Sequence, residues 1–297
     1  MSWLPFIGQK SRNYLLFEPP VDPVALSIYN SLVGWWNFDD NNAGGFLDSH
    51  AANPLTPVLS SLVSTSAANS EVNATFNAGG LTRHYGIIAD FAVNRFQHAY
   101  IPRANTNFDL NNESFTAFGW TAGSPTALAG ARHILSRVVA NTGGRQWGIF
   151  IGSLGSRIFG AVFDTAFVPT IIDTGFDTSG TSMYFYAFGL DRSNNLIRFR
   201  IKGPGTFSAG APRDINLTTP FLSAMNFVGG TANFTFGEMF SNDNTYESAF
   251  QRNYEDSGRW SCAGFVRGLI LTDAQFDFLY NAGAGIPYST LATAAGH

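Results

Sequence analysis

The sequence contains little charge, almost no cysteine and no long apolar run. Charged residues make up 13% of the 297 residues, about half of the usual share, while 45% are hydrophobic. Disordered chains have the opposite composition, so we expect a folded protein. The single cysteine, Cys262, excludes an internal disulfide framework and a multi-cysteine metal site. No apolar run approaches the roughly 18 residues of a membrane span, so we predict no membrane partner.

Basic residues are few and scattered. The formal net charge is −4, and the only lysines are Lys10 and Lys202. Proteins that bind nucleic acids present a basic patch or stripe. We therefore predict no nucleic-acid partner.

Phenylalanine and glycine are abundant, with 28 and 31 copies. Aromatic residues favour strands, and glycine favours the turns between them. From Leu196 to Lys202 the chain alternates: residues 197, 199 and 201 are apolar, whereas Arg198, Arg200 and Lys202 are basic. This alternation predicts a strand with one buried face and one solvated face.

Further short apolar runs at 115–120, 147–151, 158–163 and 234–236 are strand candidates. The run at 183–190 is apolar throughout and predicts a central strand that is covered on both faces. Clusters of glycine, proline and asparagine separate these runs. Many short strands joined by turns favour a sandwich or a barrel.

One segment near the end has a helical pattern. Thr272 to Gln275 form a capping box, and Phe276, Leu279 and Tyr280 have the spacing of one helix face. Gly283 is positioned to stop this helix. We expect residues 286–297 to form a flexible tail, because they are small and polar.

The first residues predict an extended arm. They are apolar but broken by prolines, and the aromatic side chains suited to docking on a neighbour are Trp3, Phe6, Tyr14 and Phe17. A short helix follows, with Asp22 as N-cap and Pro23 at its first position. The start has no charged region followed by an apolar core, so we predict synthesis in the cytoplasm without a signal peptide.

Four stretches resemble a known family. SLVGWWNFDD at 31–40, Asp48-Ser49-His50, SFTAFG at 114–119 and GFVRGLILTDAQFDFLYNAG at 264–283 are similar to laminin-G-like domains of the concanavalin A-like lectin and glucanase superfamily. The resemblance implies an all-β fold, an antiparallel jelly-roll β-sandwich with an extended N-terminal arm and one short C-terminal helix. We divide the chain into a docking arm (1–30), a laminin-G-like domain (31–285) and a tail (286–297).

The resemblance leaves function open, because this sandwich serves binding, scaffolding and glycan cleavage. Glycosidases of this type need two carboxylates on one strand face, which requires an E-x-D-x-E-like spacing. None of the six glutamates has a carboxylate two residues away. No nucleophile elbow, phosphate loop or metalloprotease motif is present. We predict no catalytic residues and no enzyme.

The remaining reactive side chains favour structural roles. The five histidines, His50, His84, His98, His133 and His297, are isolated in the sequence. Cys262 lies in a strand-like run beside small residues, which favours a buried apolar role over a reactive thiol.

Calcium is the common cofactor of the family. Oxygen ligands are available at Asp39, Asp40, Asn41, Asn42 and Asp48, and again at Asn242, Asp243 and Asn244. Such residues more often cap their own turns. We therefore predict no metal and no cofactor, and keep calcium as the alternative.

Binding of a glycan or a partner protein requires exposed aromatic rings beside hydrogen-bonding groups. The segment 246–260 offers such chemistry at Tyr254, Glu255, Asp256, Arg259 and Trp260. The alternative is that its aromatic residues only anchor a loop. The basic residues of 196–202 form either a surface for an anionic glycan or an ordinary solvated strand face.

Our first hypothesis is a non-enzymatic structural or decoration protein of a bacteriophage virion, in the capsid or the tail. Its arm would dock on other virion proteins, it would be oligomeric within that assembly, and its sandwich would bind a host surface glycan. The alternative is a free glycan-binding lectin. A glycoside hydrolase ranks third.

Overall fold

The computed structural model describes most of the sandwich. The described residues are 20–36, 48–50, 56–59, 85–86, 97–102, 104–110, 112–122, 131–138, 146–152, 157–166, 168–177, 183–203, 213–225, 234–236 and 259–297. The arm residues Trp3, Phe6, Tyr14 and Phe17 lie outside them. The docking role of residues 1–30 stays a prediction.

The described residues form fourteen strands. These are β1 Leu32–Trp36, β2 Thr56–Leu59, β3 Tyr85–Gly86, β4 Gln97–Ile101, β5 Phe115–Ala122, β6 Ala131–Arg137, β7 Trp147–Gly152, β8 Arg157–Phe163, β9 Pro169–Asp177, β10 Met183–Asp191, β11 Leu196–Lys202, β12 Arg213–Asn216, β13 Phe234–Phe236 and β14 Arg259–Arg267. All the strand candidates named from the sequence are confirmed.

The strands form two antiparallel sheets. Sheet 1 has the order β1-β14-β5-β10-β11-β12, with β3 paired to β14, and sheet 2 has the order β2-β4-β13-β6-β7-β8-β9. The predicted fold class, an all-β antiparallel jelly-roll sandwich, is confirmed. The described part of the chain also has four α-helices: α1 Pro23–Ser31, α2 Thr219–Ala224, α3 Asp273–Tyr280 and α4 Tyr288–Ala294. None of them is long and apolar enough to cross a membrane.

The space between the sheets is filled with aromatic side chains. Trp147 stacks on Phe265 at a centroid distance of 5.7 Å, and Phe115 and Phe234 pack around this pair. All four are buried, as is Trp36 of β1. Large rings of this kind bury much apolar area at a small cost in conformational entropy. The abundance of phenylalanine in the sequence thus reflects the core.

A second core lies on the outer face of sheet 1, where α1, α3 and α4 cover the strands. Its fully buried members include Ile28 of α1, Phe118 of β5, Phe276 of α3 and Leu291 of α4. Strand β10 is therefore covered on both faces, as its apolar sequence predicts. The helices leave little of this face of the sheet for a ligand.

The helix starts agree with the sequence, and the end of the chain differs. Asp22 accepts a hydrogen bond from the Val24 amide at the start of α1, and the capping box of α3 is present. Helix α3 stops at Asn281, whose φ of 47° is left-handed, two residues before Gly283. Residues 286–297 are not the flexible tail that we expected. They contain α4, so this part of the chain has two short helices, α3 and α4, and not the one that we predicted. Helix α4 is held because Leu291 and Ala295 are buried against the body.

The edge strand β9 is protected against pairing with another strand. The carbonyl of Asp173 accepts a hydrogen bond of 2.8 Å from Arg213 Nη1, so it points away from β8. Backbone groups alternate in direction along a strand, so every second residue of β9 points its N–H and C=O to the same side as Asp173. Pro169, four residues earlier in β9, points its backbone to the same side as Asp173, but proline has no amide proton to donate to another strand. Gly175, with φ of 66°, interrupts the strand further on.

Candidate functional site

The basic face of β11 is covered, contrary to the solvated face that we expected. Arg198 pairs with Asp214 of β12, Arg200 with Asp273 of α3, and Lys202 with Asp277 of α3. The Arg200 guanidinium lies 4.3 Å from the centroid of Phe276, and the residue is only 8% exposed. The alternation predicted the side-chain directions correctly. The error concerned the environment, because α3 packs over this face.

The same pairs argue against an anionic ligand on β11. Asp214 bonds Arg198 through two hydrogen bonds of 2.8 Å, and this contact raises the pKa of Arg198 above its usual value. A sulfate or carboxylate would have to displace a carboxylate that is already in place. The geometry therefore favours the use of these cations in packing α3 and β12.

Described carboxylates are all engaged. Those in ion pairs are Asp109, Glu113, Asp173, Asp214, Asp273 and Asp277, and those that accept backbone hydrogen bonds in caps and turns include Asp22, Asp48, Asp164 and Asp191. Burial raises the pKa of Asp191, but the hydrogen bonds from Ser193 and Asn194 outweigh it, and the pKa is lowered. Among the side chains that the structure describes, no carboxylate pair is arranged for glycan hydrolysis.

The predicted binding segment is only partly described. Tyr254, Glu255 and Asp256 lie outside the described residues. Arg259 and Trp260 are the first residues of β14, where their backbones pair with Gly86 and Tyr85 of β3. These two residues thus belong to a sheet. Their role in binding stays a prediction.

The predicted calcium ligands are described at one position. Asp39, Asp40, Asn41, Asn42, Asn242, Asp243 and Asn244 lie outside the described residues. Asp48 Oδ1 accepts hydrogen bonds of 2.9 Å from the amides of Trp35 and His50, which is the turn role. In the part of the chain that the structure covers, no three histidine, cysteine, aspartate or glutamate side chains form a metal-binding group.

Cys262 is buried in β14, on the face of sheet 1 that the helices cover, as expected for a small apolar side chain. Burial raises the pKa of its thiol far above the usual range. Because the thiolate is the nucleophile, this cysteine is poorly suited to covalent chemistry.

Four aromatic side chains meet where α1, α4 and the turn 48–50 come together. We call Tyr29, His50, Tyr288 and His297 the aromatic cluster. Tyr29 leaves α1 on the side facing α4, and the amide of Asp22 ties the start of α1 to the end of α4 through a 2.8 Å bond to the Ala294 carbonyl. His50 is held in place by the Asp48 turn.

The cluster is joined by hydrogen bonds and ring contacts. His50 Nδ1 lies 3.1 Å from the Tyr288 hydroxyl, which lies 3.4 Å from the Tyr29 hydroxyl. The His297 ring stacks on Tyr29 at 4.2 Å with an interplanar angle of 12°. The His50 ring meets Tyr29 edge-on at 4.9 Å. His297 is exposed and the other three are half-buried, so the cluster reaches the surface.

His50 and Tyr288, which are joined by a hydrogen bond in the cluster, are neutral near pH 7. Burial lowers the pKa of His50 below 6.5, and the charge of His297 acts in the same direction, while Asp48 and the Leu32 carbonyl oppose the shift. Burial and the contact with Tyr29 raise the pKa of the Tyr288 hydroxyl. Both groups are therefore neutral hydrogen-bonding partners, and Asp48 is the nearby charge.

Sequence reasoning missed this cluster. His50 and His297 are 247 positions apart in the chain, so they read as isolated. The structure instead places both against Tyr29. The available signals were the similarity of Asp48-Ser49-His50 to the family and the short helix predicted after Asp22, which contains Tyr29. Nothing in the sequence connected them to Tyr288.

No protein-family model and no curated protein sequence matches the chain. Solved structures do match. One is described as a receptor-binding domain (14% identity, TM-score 0.58), and one is the binding domain of botulinum neurotoxin DC with rat synaptotagmin II (15%, 0.55). A third is the binding domain of Paraclostridial Mosquitocidal Protein 1 (8%, 0.56). The alignments cover 86 to 88% of this chain.

The match spans only about half of each neighbour, 52 to 53% of its chain. At these identities the likeness concerns the fold. It shows that this chain has the sandwich found within these binding domains.

Proposed function

We propose that this chain is a non-enzymatic, glycan-binding module, and that the aromatic cluster is its binding site. The observation that carries the proposal is the stack of Tyr29 and the exposed His297 at the surface, with the His50 and Tyr288 polar atoms beside it. Ligand sites combine aromatic walls with a few placed polar groups. A sugar ring, which has apolar faces and a rim of hydroxyls, fits that combination.

Two further observations support a binding role over catalysis. The described carboxylates are engaged in ion pairs, caps and turns, and Cys262 is buried. Solved structures with this sandwich include binding domains. Among them is the type C neurotoxin, whose cell entry is described as dependent on two ganglioside molecules, and the DC binding domain in complex with SialylT.

The test is a glycan array probed with the full chain, followed by titration of the best glycan. Tyr29→Leu removes the ring and hydroxyl at the centre of the cluster, and we expect at least a tenfold loss of affinity, about 1.4 kcal/mol. The matched control is Tyr280→Leu, a half-buried tyrosine of α3 outside the cluster. Circular dichroism checks that both variants fold.

Two outcomes would contradict the site. Full binding by Tyr29→Leu would remove the cluster from the proposal. Loss of binding in Trp260→Ala together with full binding by Tyr29→Leu would place the site at the segment 246–260 that the sequence suggested.

The finer proposal concerns where the module works. We propose that it is a structural or decoration protein of a bacteriophage particle, docked through Trp3, Phe6, Tyr14 and Phe17. The support is the apolar and aromatic sequence of the arm and the weak charge of the whole chain. No comparison bears on this placement.

Density-gradient fractionation of the native source tests it. We expect the chain in the particle fractions at fixed stoichiometry, and a full chain with alanine at all four arm positions in the soluble fractions. A wild-type chain that stays soluble would overturn the virion role. Unchanged incorporation of the variant would overturn docking through the arm.

A further inference from the structure

The segments that build the aromatic cluster contain no cation. Residues 20–36, 48–50 and 281–297 include no lysine and no arginine, and their two acidic residues are Asp22 and Asp48. The charged side chain that holds the turn of the cluster is the carboxylate of Asp48, which is negative. Binding of an acidic ligand at such a place costs both desolvation and repulsion from Asp48.

Cations elsewhere on the described surface are already engaged. Arg157, Arg198, Arg200, Lys202 and Arg267 each pair with a carboxylate. Recognition of a sialic acid carboxylate or a sulfate ester normally uses a charge-assisted hydrogen bond from arginine or lysine. The described elements around the cluster offer no such group.

Neutral sugar hydroxyls suit the cluster better. A hydroxyl both donates and accepts, as do the phenol groups of Tyr29 and Tyr288. A neutral imidazole likewise has one donor and one acceptor nitrogen. A carboxylate only accepts, so it would use half of the hydrogen-bonding capacity of these groups.

On the basis of the proposed glycan-binding function, we infer that the aromatic cluster selects neutral glycans and discriminates against sialylated and sulfated ones. The botulinum neurotoxin DC binding domain, in contrast, is described in complex with SialylT. The discrimination depends on pH, because protonation of His50 at low pH adds positive charge beside Asp48, on a ring that lies 3.1 Å from the Tyr288 hydroxyl. The groups facing His50 are Tyr29, Asp48, Tyr288 and His297.

The experiment uses the full chain and pairs of oligosaccharides that differ only by a terminal sialic acid or sulfate. At pH 7.4 we expect the neutral member of each pair to bind at least about tenfold more tightly. At pH 5.5 we expect a smaller ratio of the affinity for the neutral member to the affinity for the acidic member. Equal or tighter binding of the acidic member at pH 7.4 would overturn the inference and leave the glycan-binding function intact. Absence of binding to every glycan would overturn the proposed function itself.

Two variants test the electrostatic cause. Asp48→Asn keeps an oxygen that can accept the Trp35 and His50 amides but removes the charge, so the neutral preference should weaken at least twofold. Asp164→Asn, in a turn that caps the Ala166 and Val168 amides, is the matched control and should change nothing. Ser49→Arg adds a cation at an exposed position beside the cluster and should raise binding of the acidic member. An unchanged ratio in both Asp48→Asn and Ser49→Arg would overturn the electrostatic basis.

Discussion

Two contacts hold the helices that cover the outer face of sheet 1, one between a helix and a strand and one between two helices, and they are built differently. The α3–β11 contact joins Arg200 and Lys202 to Asp273 and Asp277, with Phe276 beneath the guanidinium. The α1–α4 contact ends in the aromatic cluster, where tyrosine and histidine side chains meet through hydrogen bonds and ring contacts. In the α3–β11 contact, each of these two cations is paired with a carboxylate of α3. The α1–α4 contact leaves neutral polar groups and an exposed ring at the surface, which is what a binding site for sugars requires.

The largest expected effect comes from removing the ring under α3. Phe276→Ala deletes a fully buried side chain that contacts Phe185 and Arg200. We expect the free energy of unfolding to fall by about 3–5 kcal/mol, because the cavity is added to the lost burial. Urea unfolding measures it.

The matched control is Phe278→Ala on the same helix. Phe278 is half-buried, so its loss should cost clearly less. Equal costs for the two variants would show that α3 is held by its overall apolar area, and the contact under Arg200 would lose its special role.

Removing one partner or the other of the Arg200–Asp273 ion pair should have unequal effects on the free energy of unfolding. Asp273→Asn leaves the Arg200 guanidinium, whose side chain is 9% exposed, without a carboxylate, and we expect a loss of about 1–2 kcal/mol. Arg200→Met keeps apolar contact with Phe276 and leaves Asp273 in water, so it should cost less than about 1 kcal/mol. Thermal and urea unfolding of both variants compare the two. A larger loss for Arg200→Met would contradict this asymmetry.

A hydroxyl deletion in each contact gives a smaller effect. Tyr288→Phe removes the hydroxyl between His50 and Tyr29, and Tyr280→Phe removes the one that donates to the Gly203 carbonyl at 3.0 Å. We expect about 1 kcal/mol for each. Hydrogen exchange should separate them, with faster exchange confined to α4 in Tyr288→Phe. Faster exchange in α3 instead would contradict the separation of the two contacts.

The smallest effect is the pH dependence of the aromatic cluster. The pKa of His50 is lowered in the folded state, so the unfolded chain binds its proton first as the pH falls. The contribution of neutral His50 to the free energy of unfolding is complete above about pH 6.5 and is lost as the pH falls below that value. Urea unfolding at several pH values between 8 and 5 should show that the free energy of unfolding changes less with pH in His50→Gln than in the wild type. Identical changes with pH would exclude His50 as the cause.

The sequence was sufficient for local features of the fold. The period of two in β11, the capping box of α3 and the Asp22 cap of α1 depend on residues within a few positions of one another, and each is confirmed. Burial was harder to predict. The face with Arg198, Arg200 and Lys202 reads as solvated, yet Arg200 is buried, because α3 comes from a segment more than 70 residues away.

The candidate site depended still more on tertiary structure. Of the residues named from the sequence, Arg259 and Trp260 lie at the start of β14, and Tyr254 and Asp256 lie outside the described residues. The aromatic cluster draws one residue from α1, one from the turn 48–50, one from α4 and one from the last position of the chain. Each looks ordinary by itself.

Composition and short-range periodicity thus determined that this protein is a sandwich or a barrel of many short strands, because strand formation and capping are local. The choice of an antiparallel jelly-roll sandwich came from the resemblance to laminin-G-like domains. The tertiary structure decided which polar side chains are buried, which charges are neutralised and which aromatic rings meet at the surface. These outcomes depend on packing between segments that are distant in the chain, and that packing leaves no periodic signal in any one segment.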